Sequence, residues 1–336
     1  MFRPLLRRLP MLDPYIMAIL AMVGLATLLP ARGAAAPVAN DVTDAAIALL
    51  FFLHGAKLST KEALSGARHW RLHLVVFVST FALFPILGLA ARAALPHLLT
   101  PSLWAGVILL CILPSTVQSS IAFTSIAGGN VSAALCSATA SNLFGIIITP
   151  ILAGLLLSSH GGFSGHAVLS IVLQLLVPFA AGQAIRPLIG HWITKHKRLI
   201  GLVDRGSILL VVYTAFSEGV THGIWHQVDI AQLALVLAVN LVLLALVLAA
   251  TSLGSQALGF DRQDRIAIVF CGSKKSLASG LPMASVLLAG QSVGLLILPL
   301  MLFHQVQLMV CAALARRYAA EARPGEEAAA ALGSPS

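Results

Sequence analysis

From residue 233 to residue 254 the chain reads LALVLAVNLVLLALVLAATSLG, without a single charged side chain. A helix that crosses a bilayer needs about 20 mainly apolar residues, and a crossing strand about ten with strict alternation. This run and its counterparts do not alternate, so they predict helices. In hydrocarbon the backbone must satisfy its own hydrogen bonds, which a helix does within one segment. Composition agrees: 58% of residues are hydrophobic and 10% charged, against roughly 25% charged in soluble domains. Mean hydropathy is +0.94. Too few charges exist to cover a water-facing surface, so the bilayer is the main partner.

The apolar runs predict ten spans, at about 14–30, 42–58, 70–94, 102–127, 131–157, 166–189, 201–219, 230–256, 263–289 and 292–316. Span 4 is interrupted near Pro114 and span 9 near Gly272–Lys275. The Ala/Glu/Pro/Ser-rich tail, 319–336, reads as disordered and cytoplasmic. Arg3, Arg7 and Arg8 before an apolar run ending ARGAAAPVA also fit a secretory signal. With the first span kept, 17 of the 21 Lys and Arg fall on the side of the N-terminus, two on the other side, and two within the membrane. That bias predicts both termini in the cytoplasm. It also explains the net charge of +9 without nucleic acid. The four cysteines lie in apolar stretches without C-x-x-C spacing, and read as small buried hydrophobes.

Interruptions at the fourth and ninth of ten spans correspond if the chain is two five-helix halves, 1–158 and 159–318. An odd number of helices per half turns the second upside down. Inverted repeats with matched broken helices mark midplane binding sites in secondary transporters. The first break, LPSTVQSSIAFTSIAGGN (113–130), holds Ser115, Thr116, Gln118, Ser119 and Ser120. Pro114 removes a backbone donor and frees a carbonyl. Span 5 adds Asn130, Ser137, Thr139 and Asn142. Hydroxyls and freed carbonyls suit a dehydrated cation or a polar solute, although small residues also let helices pack closely. His304, Gln305 and Gln307 of span 10 line a path or bond to neighbouring helices.

The second break, FCGSKKSLASGLPMA (270–284), puts Ser273, Lys274, Lys275 and Ser276 between apolar segments. A lysine at the centre of a spanning helix costs roughly 2.5–3.5 kcal/mol. Adjacent helical residues point about 100° apart. One lysine is therefore expected to face the crossing of the breaks and the other a water-filled cavity. The twelve Asp and Glu residues all fall at predicted helix ends, in loops or in the tail. Without a carboxylate partner, the lysines pair with an anionic substrate, lose a proton, or sit on freed carbonyls as a sodium ion would.

FFLHGAKLS (51–59), STFALFPILGL (79–89), LPSTVQSSIAFTSIAGGNVSAALCSATASNLFGIIITP (113–150) and FCGSKKSLASGLPMA (270–284) together resemble the bile acid:sodium symporter family. The resemblance is to its divergent SBF-like branch of bacterial membrane proteins and eukaryotic relatives in solute carrier family ten. It implies an all-α protein of ten helices in a five-plus-five inverted repeat, with helices 4 and 9 discontinuous and crossing. It further implies a core domain of helices 3–5 and 8–10 and a panel domain of helices 1, 2, 6 and 7. Sodium-coupled members carry a Ser-Asn pair where this chain has Ser119 and Ser120. Their helix 5 hydroxyls fall near Ala134 and Ala138, with Ser137 and Thr139 beside them. The family's helix 3 glutamine falls at Thr80, its helix 9 glutamate at Phe270 and the neighbouring glutamine at Lys274. An acidic ligand is gone and a cation has arrived, and like charges repel.

The resemblance implies a secondary transporter of a small organic anion in the bacterial inner membrane, working by alternating access. Na⁺ or H⁺ is the coupling ion if there is one, with a lysine ammonium in a former sodium position. Two other readings are the usual sodium-coupled symporter and a non-transporting regulator of ion, for example calcium, homeostasis. No enzyme motif such as H-E-x-x-H or G-x-S-x-G is present. A monomer is compatible with all of this.

Overall fold

The computed structural model describes residues 14–57, 69–157, 165–221, 223, 229–287 and 293–332. All of its regular elements are helices: α1 (Pro14–Leu28), α2 (Ala35–Lys57), α3 (Trp70–Ala94), α4 (Pro101–Ile112), α5 (Gln118–Ile126), α6 (Val131–Leu156), α7 (Gly165–Lys195), α8 (Lys197–Thr221), α9 (Ile230–Ala257), α10 (Arg262–Gly272), α11 (Leu277–Leu287) and α12 (Val293–Leu332). Among the described residues, six segments are long and apolar enough to cross a membrane: Ala35–Lys57, Trp70–Ala94, Val131–Leu156, Arg198–Thr221, Ile230–Ala257 and Gly294–Glu321. The elements on either side of the two breaks are too short to cross singly. A 12-residue helix such as α4 is about 18 Å long, against a core of about 30 Å.

Three boundaries differ most from expectation. α7 runs to Lys195 rather than to about 189. α2 begins at Ala35 rather than near 42, so Asp41 and Asp44 stand within the helix, both exposed. α12 continues past position 319 to Leu332, where the composition had predicted disorder. Ala and Glu are strong helix formers, and a helix already nucleated by a long span extends at little cost.

α9 shows why lipid is the solvent. Val236, Asn240, Leu243, Leu244, Val247, Thr251 and Ser255 form its buried stripe, at helical spacing. Leu237, Leu241, Val242, Leu246 and Leu253 on the remaining surface are exposed. A helix as apolar outside as inside does not face water.

The chain divides into two compact units. The first comprises Met1–Leu58, Ala153–Leu233 and Ala278–Leu298, and the second Ser59–Leu152, Ala234–Leu277 and Pro299–Ser336. In the first, α2 and α7 meet backbone to backbone. A Cβ on Gly55 would lie 2.0 Å from the Phe179 carbonyl oxygen, and one on Gly182 1.9 Å from that of Phe52. Small residues allow this approach between membrane helices. Leu53, Ala56, Ile193 and Ile200 pack beside the contact. Lys57 pairs with Asp204 to tie α2 to α8, and the Thr43 and Thr214 hydroxyls join the same two helices at 2.7 Å.

In the second unit, Leu72, Val76, Ala133, Ala134, Ala138, Ala267, Ile268 and Cys271 form an apolar cluster between α3, α6 and α10. Asn240 of α9 donates to the Pro299 carbonyl of α12 at 2.9 Å. Gly145 of α6 is where a Cβ would lie 2.9 Å from Pro114, so α6 packs directly on the first break.

Gly182→Ala is expected to lower the detergent melting temperature by several degrees, since overpacking costs about 1–3 kcal/mol. Gly24→Ala, with nothing within 4 Å of the new methyl, should leave it unchanged. Equal melting temperatures for both variants would contradict the close approach of α2 and α7.

Candidate functional site

The site grows from backbone groups that local sequence leaves unpaired. In α3 the segment Ser79–Leu83 widens into a π turn, and the Phe84 amide bonds the Ser79 carbonyl five residues back. In the same pattern the Thr80 carbonyl would take the amide of residue 85, which is proline and has none. Ser79 and Thr80 turn their hydroxyls back onto the Val75 and Val76 carbonyls, each at 2.8 Å. The Thr80 carbonyl is thereby left for another donor. π turns recur at functional sites for this reason.

At the end of α4 the chain leaves the helix at Leu113 in an extended conformation, as the residue before a proline prefers. Four successive carbonyls find partners outside their own helix. Cys111 and Leu113 accept from the Lys275 ammonium at 2.7 and 2.8 Å. Ile112 accepts from the Thr149 hydroxyl at 2.9 Å, and Pro114 from the Ser276 amide at 2.9 Å. The end of α10 mirrors this. Val269 accepts from the Ser273 amide at 3.2 Å and its hydroxyl at 2.5 Å. Phe270 accepts from the Ser120 hydroxyl at 3.0 Å, and Cys271 from the Ser115 hydroxyl at 2.6 Å. Each break satisfies the other.

Lys275 occupies the centre. Its third bond goes to the Thr80 carbonyl at 2.8 Å, so all three ammonium hydrogens are taken. The Phe84 ring lies 4.2 Å from Nζ, adding a cation–π contact, and rests edge-on against Phe303. The carbonyl end of α4 carries the negative end of a helix dipole, which favours a cation there. Gln307 of α12 clasps the unwound backbone of the same residue. Its Oε1 accepts from the Lys275 amide and its Nε2 donates to the Lys275 carbonyl, both at 2.8 Å. The same Nε2 lies 2.9 Å from His304 Nδ1.

Lys274 is equally buried but differently held. Its Nζ is 3.5 Å from the Ser119 hydroxyl, the outer limit of a hydrogen bond. Beyond that it lies 4.2 Å from the Phe123 ring centroid and 5.4 Å from that of Phe270. The sequence predicted a water-filled cavity for one lysine; here two aromatic rings take that place. Ser119 belongs to the first turn of α5, whose N-cap, Val117, offers no side-chain acceptor. The first turn-closing bond there is from the Ile121 amide to the Val117 carbonyl. The amides of Gln118, Ser119 and Ser120 therefore have no acceptor among the described residues. Among those residues, Lys274 and Lys275 are also the only fully buried charged side chains.

The remaining predicted residues sort by contact. Thr116 bonds the Ser119 and Ser120 hydroxyls at 2.8 and 3.0 Å. The Ser115 amide donates to the Ser141 hydroxyl at 3.0 Å, and the Ser115 carbonyl accepts from the Asn142 side-chain amide at 2.7 Å. Ser276 joins the breaks through its amide. Gln118 is exposed. Asn130 is placed elsewhere. It caps α6 through the Ala133 amide at 3.0 Å and donates to Asp264 at 2.8 Å. Asp264 is eight residues, about 12 Å along the helix, from Gly272 at the break.

Ser137 pairs with His73 of α3 at 2.6 Å. Thr139 and Gln305 are half-buried and make no side-chain hydrogen bond among the described residues. Where the resemblance places the helix 5 sodium ligands, Ala134 and Ala138 are packed in the apolar cluster with Val76 and Cys271. Sequence reading missed His73 and Thr149. It also missed the Thr80 carbonyl, although Pro85, five residues on, was its signal.

Lys275→Met leaves three buried carbonyls without a donor, which costs about 3 kcal/mol or more. Lys274→Met removes an ammonium with one marginal acceptor and should stay within about 1 kcal/mol of wild type. Thermal unfolding in detergent ranks the two, and equal losses would contradict the asymmetry.

Residues 13–320 match the SBF-like CPA transporter family. Protein PA2026 of Pseudomonas aeruginosa, itself uncharacterized, is 55% identical over 95% of this chain and 96% of its own. YfeH of Escherichia coli (strain K12), provisionally named a symporter, is 54% identical over 91% of this chain and 93% of its own. Sodium/bile acid cotransporter 7 of Rattus norvegicus is 29% identical over 88% of this chain and 89% of its own. With residues 13–320 matched, this multi-pass membrane protein belongs to the SBF-like CPA transporter family, a family of transporters rather than enzymes.

Proposed function

We propose that the protein is a secondary transporter that moves a small organic anion across the bacterial inner membrane by alternating access, with Lys275 as a built-in cation in place of a sodium ion. The observation that carries this is the cradle of the Thr80, Cys111 and Leu113 carbonyls, with Nζ at 2.7–2.8 Å. Such freed carbonyls at broken helix ends are what coordinates a coupling ion in other transporters. Here the ligand is tethered, so it is not exchanged in the cycle. The coupling ion is then a proton, or there is none.

The anion reading rests on Lys274 with its spare hydrogens and on the three unpaired amides opening α5. A half-helix N-terminus beside a buried ammonium suits a carboxylate or sulfonate. The Thr116 and Ser119 hydroxyls stand beside both. The reciprocal bonding of the two breaks, Ser115 to Cys271 and Ser276 to Pro114, supports ten spans in a five-plus-five inverted repeat. The bias of Lys and Arg supports cytoplasmic termini. On this reading helices 3–5 and 8–10 are the core and helices 1, 2, 6 and 7 the panel. The bacterial relatives support the inner membrane. The names of the vertebrate cotransporters favour a second reading, ordinary sodium symport.

Stabilisation of the purified protein by a panel of small carboxylates and sulfonates selects a labelled anion for uptake into proteoliposomes. Wild type should take it up equally in Na⁺ and in choline. Lys274→Gln should lose uptake, and Lys275→Ala should make it sodium-dependent. A wild type that requires Na⁺ would overturn the built-in cation. Binding without uptake would favour the regulator reading.

A further inference from the structure

A second site lies between α9, α10 and α12, with its two arginines at the start of α10, at the opposite end of that helix from the break. It is a cavity of about 240 Å³ lined by Ser252, Arg262, Arg265, Ile266, Val269, Tyr318 and Glu321. Arg262 and Arg265 are three apart on α10, so they share a face. Neither guanidinium has a carboxylate within salt-bridge distance among the described residues. Arg262 gives one N–H to the Tyr318 carbonyl at 2.6 Å, and Arg265 one to Gln256 at 3.4 Å. Each guanidinium has five N–H donors in a planar fork, so most of the donors are unspent.

The acids nearby are already engaged. Glu321 pairs with Arg317 at 2.9 Å. Asp261 caps α10 through the Asp264 amide at 2.8 Å, and Asp264 binds Asn130 at 2.8 Å. The walls are fixed: the Tyr318 ring packs on Phe270, and Ile266 is buried with Ala127, Cys311 and Ala315. The cavity therefore has a basic, mainly polar lining, at the membrane side that the charge bias assigns to the cytoplasm.

We infer that this cavity binds a phosphate oxyanion on the Arg262 and Arg265 forks, with Ser252 as a further donor. Arginine pairs with phosphate bidentately. Basic pockets between membrane helices on the cytoplasmic side hold anionic lipid headgroups. A phospholipid headgroup and a soluble phosphate ester share this chemistry.

The test is thermal unfolding of the full-length protein in detergent with added phosphatidylglycerol, phosphatidylcholine of the same chains, or glycerol phosphate at constant ionic strength. Phosphatidylglycerol should raise the melting temperature by about 5 °C at a hundredfold excess over its Kd, and phosphatidylcholine should not. A matching rise with glycerol phosphate assigns the site to soluble esters; its absence assigns it to lipid. The rise should vanish in Arg262→Gln/Arg265→Gln and in Ser252→Phe, which fills the cavity without removing charge. It should persist in Arg186→Gln/Arg198→Gln, which removes charge elsewhere. An undiminished rise in both cavity variants, or no response to either phosphate in wild type, would overturn the site.

Discussion

A helix broken inside a bilayer leaves carbonyls that no water can reach, and each must find a donor or cost free energy. Here the decisive donor is the ammonium of Lys275, which takes two carbonyls at the end of α4 and one from the π turn of α3. Around it the breaks trade smaller bonds. The Ser115 and Ser120 hydroxyls close the end of α10, and the Ser276 amide closes the end of α4. Gln307 holds the unwound chain so that the lysine can point inward. A buried ammonium needs such a complete set of acceptors, because its desolvation is expensive.

The two adjacent lysines divide labour through what surrounds them. Lys275 has spent all its hydrogens on the fold. Lys274, between Phe123 and Phe270 and at the edge of Ser119's reach, has hydrogens to spare. Phe270 stands where sodium-coupled relatives are expected to carry a carboxylate. An aromatic face tolerates the ammonium without neutralising it.

Much of this was legible in the chain because membrane burial is a coarse, strong signal. Apolar runs marked the helices, and Pro114 and the Lys-Lys pair marked the breaks. What escaped was detail set by side-chain direction and register. Asn130 reads like any polar residue of the break region, yet it caps α6 at the far end of α10. Gln307 and Gln305 look alike in sequence, and only Gln307 faces Lys275. The free carbonyl of Thr80 needs both a π turn and Pro85, and a π turn has no reliable local signature. The tail read as disordered from composition, whereas the helix entering it continues to Leu332.

Chemical rescue tests the central claim most directly. Lys275→Ala removes the ammonium and three methylenes, the shape of propylammonium. Thermal unfolding of that variant should recover toward wild type as propylammonium is added, and 1-propanol, of similar size but uncharged, should have no comparable effect. Equal recovery with the two, or none with either, would mean that packing rather than a charge on three carbonyls holds the breaks together.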